Sequence, residues 1–82
     1  MQIILSKKAQ KNYKKIPKVE QKRIKEKLKA LEKDSLIGKK LDAEYSEFRS
    51  LRAWPYRIIY QINKSRHQIE VAAILHRQGA YK

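Results

Sequence analysis

The chain has 82 residues, 41% of them hydrophobic, and its 21 Lys and Arg against 8 Asp and Glu give a formal net charge of +13. This length suits one compact domain, which we expect to span residues 1–82. The absence of Cys excludes disulfides, thiol nucleophiles and cysteine metal sites, and it favours a cytoplasmic location. The first apolar run, Ile3–Leu5, is too short for a membrane span, so no membrane association is expected. A folded protein with this charge is expected to bind a polyanion.

The first part of the chain predicts a strand followed by two amphipathic helices. Gln2–Leu5 has the composition of a short strand, and Ser6 is a suitable N-cap for a helix that runs to about Ile16. Pro17 separates this helix from a Lys-rich stretch that ends near Asp34. The apolar residues of that stretch repeat at i, i+4 and i+7: Ile24, Leu28 and Leu31. We interpret the many lysines as the solvated outer face of a helical hairpin.

The second part predicts an antiparallel sheet. Residues 35–47 lack a clear period and are interpreted as a connector, in which Lys39 and Lys40 are candidate RNA contacts. Three strands are predicted to follow, with a turn at 63–66 before the last of them: 48–53, 56–62 and 69–76. The predicted fold is α+β, with the order βααβββ and the helical hairpin packed on one face of a small antiparallel-rich sheet.

Alternation within the predicted strands assigns side chains to the two faces of the sheet. Tyr56, Ile58 and Tyr60 are expected to face the helices, so Arg57 points into an open groove on the other side. In the last strand, the same period predicts one shared face for four residues: Ile69, Val71, Ala73 and Leu75.

The two parts of the chain differ in their cations. Arg23 is the only Arg among the first 34 residues, and the other five lie further on: Arg49, Arg52, Arg57, Arg66 and Arg77. A guanidinium group holds a phosphate in a bidentate grip, whereas lysines supply diffuse charge. We therefore expect the helices to act as scaffold and the sheet to carry the site.

Two segments resemble a known family. The segment LRAWPYRIIYQI (51–62) and the ending ILHRQGAYK (74–82), together with size, basicity and element order, resemble the RelE/ParE toxin superfamily of type II toxin-antitoxin systems. The resemblance implies a toxin with a RelE-like fold, no cofactor, and an acidic cognate antitoxin with which it forms a hetero-oligomer. RelE-type members enter the ribosomal A site, cut mRNA and so inhibit translation, whereas ParE-type members inhibit DNA gyrase.

The resemblance also implies roles for residues. Arg57 matches the family's strand arginine, which would hold the scissile phosphate during attack by the ribose 2′-hydroxyl. A structural alternative is a cross-strand pair with Glu70. Arg77 and Tyr81 match the basic residue and the tyrosine of the closing segment, as a second phosphate cation and as a residue that stacks on a base or orients the nucleophile.

The remaining assignments are left open. Tyr81 could equally be a tail residue packed on the sheet, and His76 is either a general acid or base or a residue that ends the strand. Arg49 and Arg52 are candidate RNA contacts on the strand before Arg57. The RelE-type reaction requires no protein-bound metal, and none is expected here.

The chain departs from the RelE pattern at two positions. Phe48 and Ser50 stand where RelE-type members have a pair of lysines, so the lysine base is missing, and Glu47 is a substitute without a motif to support it. An arginine is a poor proton acceptor. The predicted function is a ribosome-dependent mRNA endoribonuclease, and the alternatives are a ParE-like gyrase inhibitor and a non-catalytic RNA- or ribosome-binding module.

Overall fold

In the computed structural model, which describes residues 1–41 and 47–78, two helices pack on one face of a five-stranded sheet. The elements in chain order are β1 Gln2–Leu5, α1 Lys7–Lys15, α2 Lys18–Lys33, β2 Lys39–Lys40, β3 Phe48–Ala53, β4 Tyr56–Asn63 and β5 Gln68–His76. The strand order in the sheet is β1-β5-β4-β3-β2, with β1 parallel to β5 and the other pairs antiparallel. The predicted α+β class and the helical hairpin on one face are confirmed.

Local sequence signals set the helix boundaries. The Ser6 hydroxyl accepts the backbone N–H of Ala9 at 3.0 Å, as expected of an N-cap. Ile16 leaves the helical region because a residue before proline is restricted to extended conformations, and α1 therefore ends at Lys15. Pro17 then opens α2, where its missing N–H costs no helical hydrogen bond.

The core lies between the helices and the sheet face that they cover. Helix α2 contributes Ile24 and Leu31, and β4 contributes Ile58 and Tyr60, all with no exposed surface. The predicted inward face of β4 is thus confirmed. The other buried residues of this cluster are Ala9, Ile16, Ala53, Ile69, Val71 and Ile74.

Strand β5 carries a one-residue bulge at Ala72, since Val71 and Ala73 pair with consecutive residues of β4. Side chains of the first helical turns bind the backbone that the bulge displaces. The Ser6 hydroxyl donates to the Ala72 carbonyl at 2.7 Å. The Asn12 side chain accepts a backbone N–H of β5 two residues beyond the bulge, at 3.1 Å. These bonds satisfy polar groups that would otherwise be unpaired at the bulge.

The bulge reverses the alternation of the rest of β5. The prediction that Ala73 and Leu75 share a face with Ile69 and Val71 is wrong, because they lie on the opposite face together with Arg57. Ile74 packs in the core in their place, 3% exposed. A period of 2 could not reveal this, because every residue in 71–75 is apolar and either register buries apolar surface.

A short edge strand was missed in the stretch interpreted as a connector, 35–47. Lys39 pairs with Ser50 and Lys40 with Arg49, so these two lysines extend the sheet by one strand. Two residues are too few to show a period, and lysines are common at sheet edges because their charge opposes further strand pairing.

Gly38, just before β2, lies directly against the buried Tyr60 ring. The Tyr60 hydroxyl accepts the Gly38 N–H at 3.0 Å and donates to the Ser35 carbonyl at 2.8 Å. Burial raises the pKa of Tyr60, and the hydrogen bond from Gly38 acts in the opposite direction. A Cβ atom on Gly38 would lie 2.5 Å from the Tyr60 hydroxyl oxygen, closer than real contacts allow.

We therefore expect Gly38→Ala to lower the free energy of unfolding by about 1–3 kcal/mol, because the buried Tyr60 ring must move to admit the methyl group. Thermal unfolding measures the loss as a lower Tm. A variant as stable as the parent chain would contradict this close approach.

Candidate phosphate site

Two adjoining pockets share Arg52 and Arg57 as lining residues. The larger has a volume of about 520 Å³, and its other lining residues are Ile37, Lys39, Lys40, Leu41, Ser50 and Leu51. The smaller has a volume of about 310 Å³, and its other lining residues are Trp54, Pro55, Tyr56 and Arg77. Among the described residues, cations line both pockets and no Asp or Glu lines either. This arrangement favours an anionic ligand.

The sheet register places Arg52 and Arg57 directly opposite each other, on the face that the helices leave uncovered. Arg52 is exposed and Arg57 is half-buried. Two like charges in directly opposed positions repel each other and destabilise a strand pair. A phosphate bound between them would accept hydrogen bonds from both guanidinium groups.

The alternative prediction, a cross-strand pair of Arg57 with Glu70, is not supported by the register. Glu70 lies opposite Gln61 and accepts hydrogen bonds from the side-chain amides of Gln61 at 3.0 Å and Asn63 at 3.2 Å. Leu75 is the β5 residue opposite Arg57. The carboxylate of Glu70 is therefore used further along the sheet, away from the arginine pocket.

Arg77 reaches the smaller pocket from a third backbone segment, directly after β5. Its backbone N–H donates to the Pro55 carbonyl at 2.8 Å, which fixes the end of β5 against the β3–β4 turn. Its guanidinium carbon lies 5.0 Å from the centre of the Trp54 ring, a cation–π contact. The structure thus brings together three of the predicted site residues in one pocket: Arg52, Arg57 and Arg77.

Trp54 is a lining residue to which sequence reasoning gave no role. It lies in the turn between β3 and β4, is 53% exposed, and precedes Pro55 through a cis peptide bond. Pro55 is also part of this turn. Arg23 of α2 donates to the Trp54 carbonyl at 3.2 Å. The only sequence signal was a large aromatic residue in a turn between two arginines.

His76 lies apart from the arginines. It pairs with Tyr56, on the side of the sheet opposite to Arg57, and its ring contacts the Tyr56 ring edge-on at a centroid distance of 5.1 Å. It lines neither pocket. Its Nδ1 accepts the Gln78 N–H at 3.2 Å, so in the neutral ring Nε2 carries the proton.

Burial, together with a hydrogen bond to the Glu20 carboxylate and the negative charge of that group, raises the pKa of Tyr56 to about 12. The folded chain therefore binds the phenol proton more tightly than the unfolded chain, whose Tyr56 has the ordinary pKa of 10.0. The stabilisation is fully present below pH 10 and is lost as the pH rises towards 12.

The measurement is the difference in Tm between the parent chain and Tyr56→Phe across this pH range. We expect a constant difference below pH 10 and a decreasing one above it. The comparison with Phe cancels the titration of the lysines, which both proteins share. A difference independent of pH would contradict the raised pKa of Tyr56 in the folded chain.

Arg49 does not lie with Arg52. It faces the helix side of β3, opposite Tyr60, and is half-buried. Its guanidinium donates to the Gly38 carbonyl at 2.9 Å, a contact that holds the chain before β2. Lys39 and Lys40, in contrast, both line the larger pocket.

The remaining predicted positions are distributed as follows. Tyr81 lies outside the described residues. Ser50 lines the larger pocket, Phe48 lies on the same face of β3, and Glu47 is exposed just before that strand. Within residues 1–41 and 47–78, no three His, Cys, Asp or Glu side chains gather where they could hold a metal ion, and no helix is long and apolar enough to span a membrane.

A helical hairpin on a small mixed sheet with cationic pockets defines a small basic α+β protein. A family model described as the ParE toxin of the type II toxin-antitoxin system parDE matches residues 3–81. The chain belongs to this family, within the RelE/ParE toxin superfamily, and is thus a type II toxin.

Solved structures show the same fold. The chain is similar to the toxin in the RelBE2 complex of Mycobacterium tuberculosis, with a TM-score of 0.85 and 23% identity over 93% of this chain and 96% of that chain. The isolated RelE toxin of E. coli matches with a TM-score of 0.78 and 20% identity, over 92% of this chain and 82% of that chain. YoeB of Staphylococcus aureus, solved as a dimer, matches with a TM-score of 0.73 and 26% identity, over 89% of this chain and 92% of that chain. No curated protein matches the chain.

Proposed function

We propose that this toxin inhibits translation by cutting mRNA in the ribosomal A site, through attack of a ribose 2′-hydroxyl on the adjacent phosphate. The observation that carries the proposal is the smaller pocket, where Arg52, Arg57 and Arg77 converge from three backbone segments. In this reaction negative charge accumulates on the phosphate as the 2′-oxygen bond forms. Positively charged donors already held in place stabilise that charge without reorganisation.

Each of the three arginines reaches the pocket from a different backbone segment. Arg52 and Arg57 are cross-strand partners in β3 and β4, so both side chains extend from neighbouring positions on the same face of the sheet. Arg77 approaches from the end of β5 and is held by its contact with Trp54. Guanidinium groups stay protonated, so these residues bind the phosphate and do not take the proton of the 2′-hydroxyl.

His76, predicted as a general acid or base, lies on the side of the sheet opposite to Arg57 and lines neither pocket, so no proton transfer is assigned to it. Solvent takes the 2′-hydroxyl proton as the 2′-oxygen attacks the phosphorus, and solvent protonates the departing 5′-oxygen as the P–O5′ bond breaks, which leaves a 2′,3′-cyclic phosphate on one fragment and a 5′-hydroxyl on the other. Tyr56, with its pKa of about 12, contacts the histidine ring and is not a base at neutral pH. Tyr81 remains the proposed residue for stacking or orienting the nucleophile.

Because no lysine pair stands at Phe48 and Ser50, the chain is short of a base for the 2′-hydroxyl. The reaction therefore depends on the ribosome to hold the message with the 2′-oxygen, the phosphorus and the 5′-oxygen in line. Free RNA is expected to be cut poorly. The same gap favours gyrase inhibition as the second candidate function, which is also the activity associated with the ParE name.

The partner that controls the toxin is proposed to be an acidic antitoxin. RelBE2 of M. tuberculosis and RelE–RelB of Pyrococcus horikoshii were both solved as toxin-antitoxin complexes. A net charge of +13 favours an acidic segment as the neutralising element. Co-expression with the neighbouring gene should yield a hetero-oligomer and abolish toxicity, and unchanged toxicity without a complex would contradict this part.

The function is tested by incubating the toxin with stalled ribosomes that carry end-labelled mRNA, in parallel with a gyrase supercoiling assay. We expect site-specific scission of the message, little scission without ribosomes, and normal supercoiling. Intact message with inhibited supercoiling would replace the proposal with the gyrase-inhibitor function. Intact message with normal supercoiling would leave an RNA- or ribosome-binding module.

A further inference from the structure

Trp54 is the only Trp of the chain, and it is exposed and lies outside the core cluster. Its exposed fraction is 53%, whereas the aromatic ring of Tyr60 has no exposed surface. A single exposed apolar residue needs no explanation in itself. Trp54, however, lines the same pocket as three arginines, so its ring stands beside the place where a phosphate would bind.

Contacts from α2 and from Arg77 hold the turn that carries Trp54. The Arg23 guanidinium of α2 donates to the Trp54 carbonyl oxygen at 3.2 Å, and the Arg77 backbone N–H donates to the adjacent Pro55 carbonyl oxygen at 2.8 Å. The Arg77 guanidinium contacts the ring itself at 5.0 Å. A ligand that uses the indole therefore meets a surface that is already ordered, which lowers the entropic cost of binding.

We propose that Trp54 is the base-stacking residue of this site: a base of single-stranded RNA, next to the phosphate bound by Arg52, Arg57 and Arg77, stacks on the exposed indole. The inference rests on the proposed function and names the feature of the substrate that this pocket recognises. Stacking tolerates every base, because each has a π-face, so Trp54 contributes affinity and position more than sequence preference.

The chemistry around Trp54 favours a nucleotide over a protein segment. Among the described residues, its pocket is lined by three arginines, two aromatic residues and Pro55, and by no Asp or Glu. A phosphate with a planar base attached satisfies both kinds of group at once, the guanidinium groups by charge and the indole by stacking. An acidic peptide would satisfy only the charge, unless it also carried an aromatic or apolar anchor.

Because Trp54 is the sole tryptophan, its fluorescence reports directly on this contact. The probe is a short single-stranded RNA with 2′-O-methyl riboses, which cannot be cut, and the matched control is an abasic ribose-phosphate oligomer of the same length and charge. We expect the RNA to quench the indole emission and the abasic oligomer to bind with little quenching. Equal emission changes with both probes would overturn the proposal.

Binding of end-labelled probes to variants provides the second readout. Trp54→Ala is expected to weaken RNA binding about 10-fold, to leave abasic binding nearly unchanged, and to be partly rescued by Trp54→Phe. Arg66→Ala removes one charge in the β4–β5 turn. It should change the affinity for the RNA and for the abasic oligomer to the same extent. If Trp54→Ala instead leaves RNA binding unchanged and weakens the complex with the antitoxin, Trp54 is a protein anchor and the proposal is wrong.

The two proposals fail separately. Quenching by RNA without cleavage on ribosomes would contradict the endoribonuclease function and retain Trp54 as a stacking residue. Cleavage on ribosomes that is equal for the parent chain and Trp54→Ala, with no quenching by RNA, would contradict only the stacking role.

Discussion

Arg57→Ala should lower the rate of mRNA cleavage on ribosomes by about 10²-fold or more, the loss expected when one preorganised charge donor is removed. Arg57 is half-buried on the uncovered face of the sheet, outside the core cluster. Its removal leaves no cavity between the helices and the sheet. The circular dichroism spectrum and Tm should therefore change little. Single-turnover cleavage of ribosome-bound message measures the effect.

The matched control is Arg66→Ala, which lowers the net charge equally at an exposed position that lines neither pocket. It should retain most of the activity. Arg57→Lys separates charge from geometry, because an ammonium group cannot reproduce a bidentate grip, and it should stay well below the parent rate. A folded Arg57→Ala variant with parental activity would remove Arg57 from the site.

Ile24→Ala should destabilise the chain by about 2–5 kcal/mol, the usual cost of a cavity at a fully buried aliphatic position. Ile24 lies in the middle of α2, against the sheet, and has no exposed surface. Small domains have only about 5–15 kcal/mol of stability in total. The Tm should therefore fall by roughly 10 °C or more, as measured by thermal unfolding.

Val19→Ala is the control for this loss, because it truncates an aliphatic residue of the same helix that is 78% exposed. Its Tm should stay close to that of the parent chain. Equal losses from the two variants would mean that α2 does not pack on the sheet through Ile24.

The sequence predicted most of the scaffold because its local signals agree with one another. Ser6 caps α1, the apolar residues of α2 repeat at helical spacing, and the β4 pattern buries Ile58 and Tyr60. Each signal acts within a few residues and is read directly from composition and period. The two-residue strand Lys39–Lys40 was missed because it is too short to carry a period.

The candidate site was only partly predictable, because its assembly depends on contacts between distant segments. The meeting of Arg77 with Trp54 needs the end of β5 to lie against the β3–β4 turn. The placement of His76 beside Tyr56 follows from the bulge at Ala72, which an all-apolar strand conceals. Strand alternation alone predicted only the position of Arg57, whose side chain lies on the face of β4 that points away from the core.

The most direct measurement uses ribosome-bound mRNA with a single 2′-deoxy nucleotide on the 5′ side of the mapped cut, beside the same message with ribose at that position. If three arginines hold a phosphate while the neighbouring 2′-hydroxyl attacks it, only the ribose message is cut. Its 5′ fragment ends in a 2′,3′-cyclic phosphate or the product of its hydrolysis, and its 3′ fragment begins with a 5′-hydroxyl. Scission of the deoxy message, or a 5′-phosphate on the downstream fragment, would contradict the account.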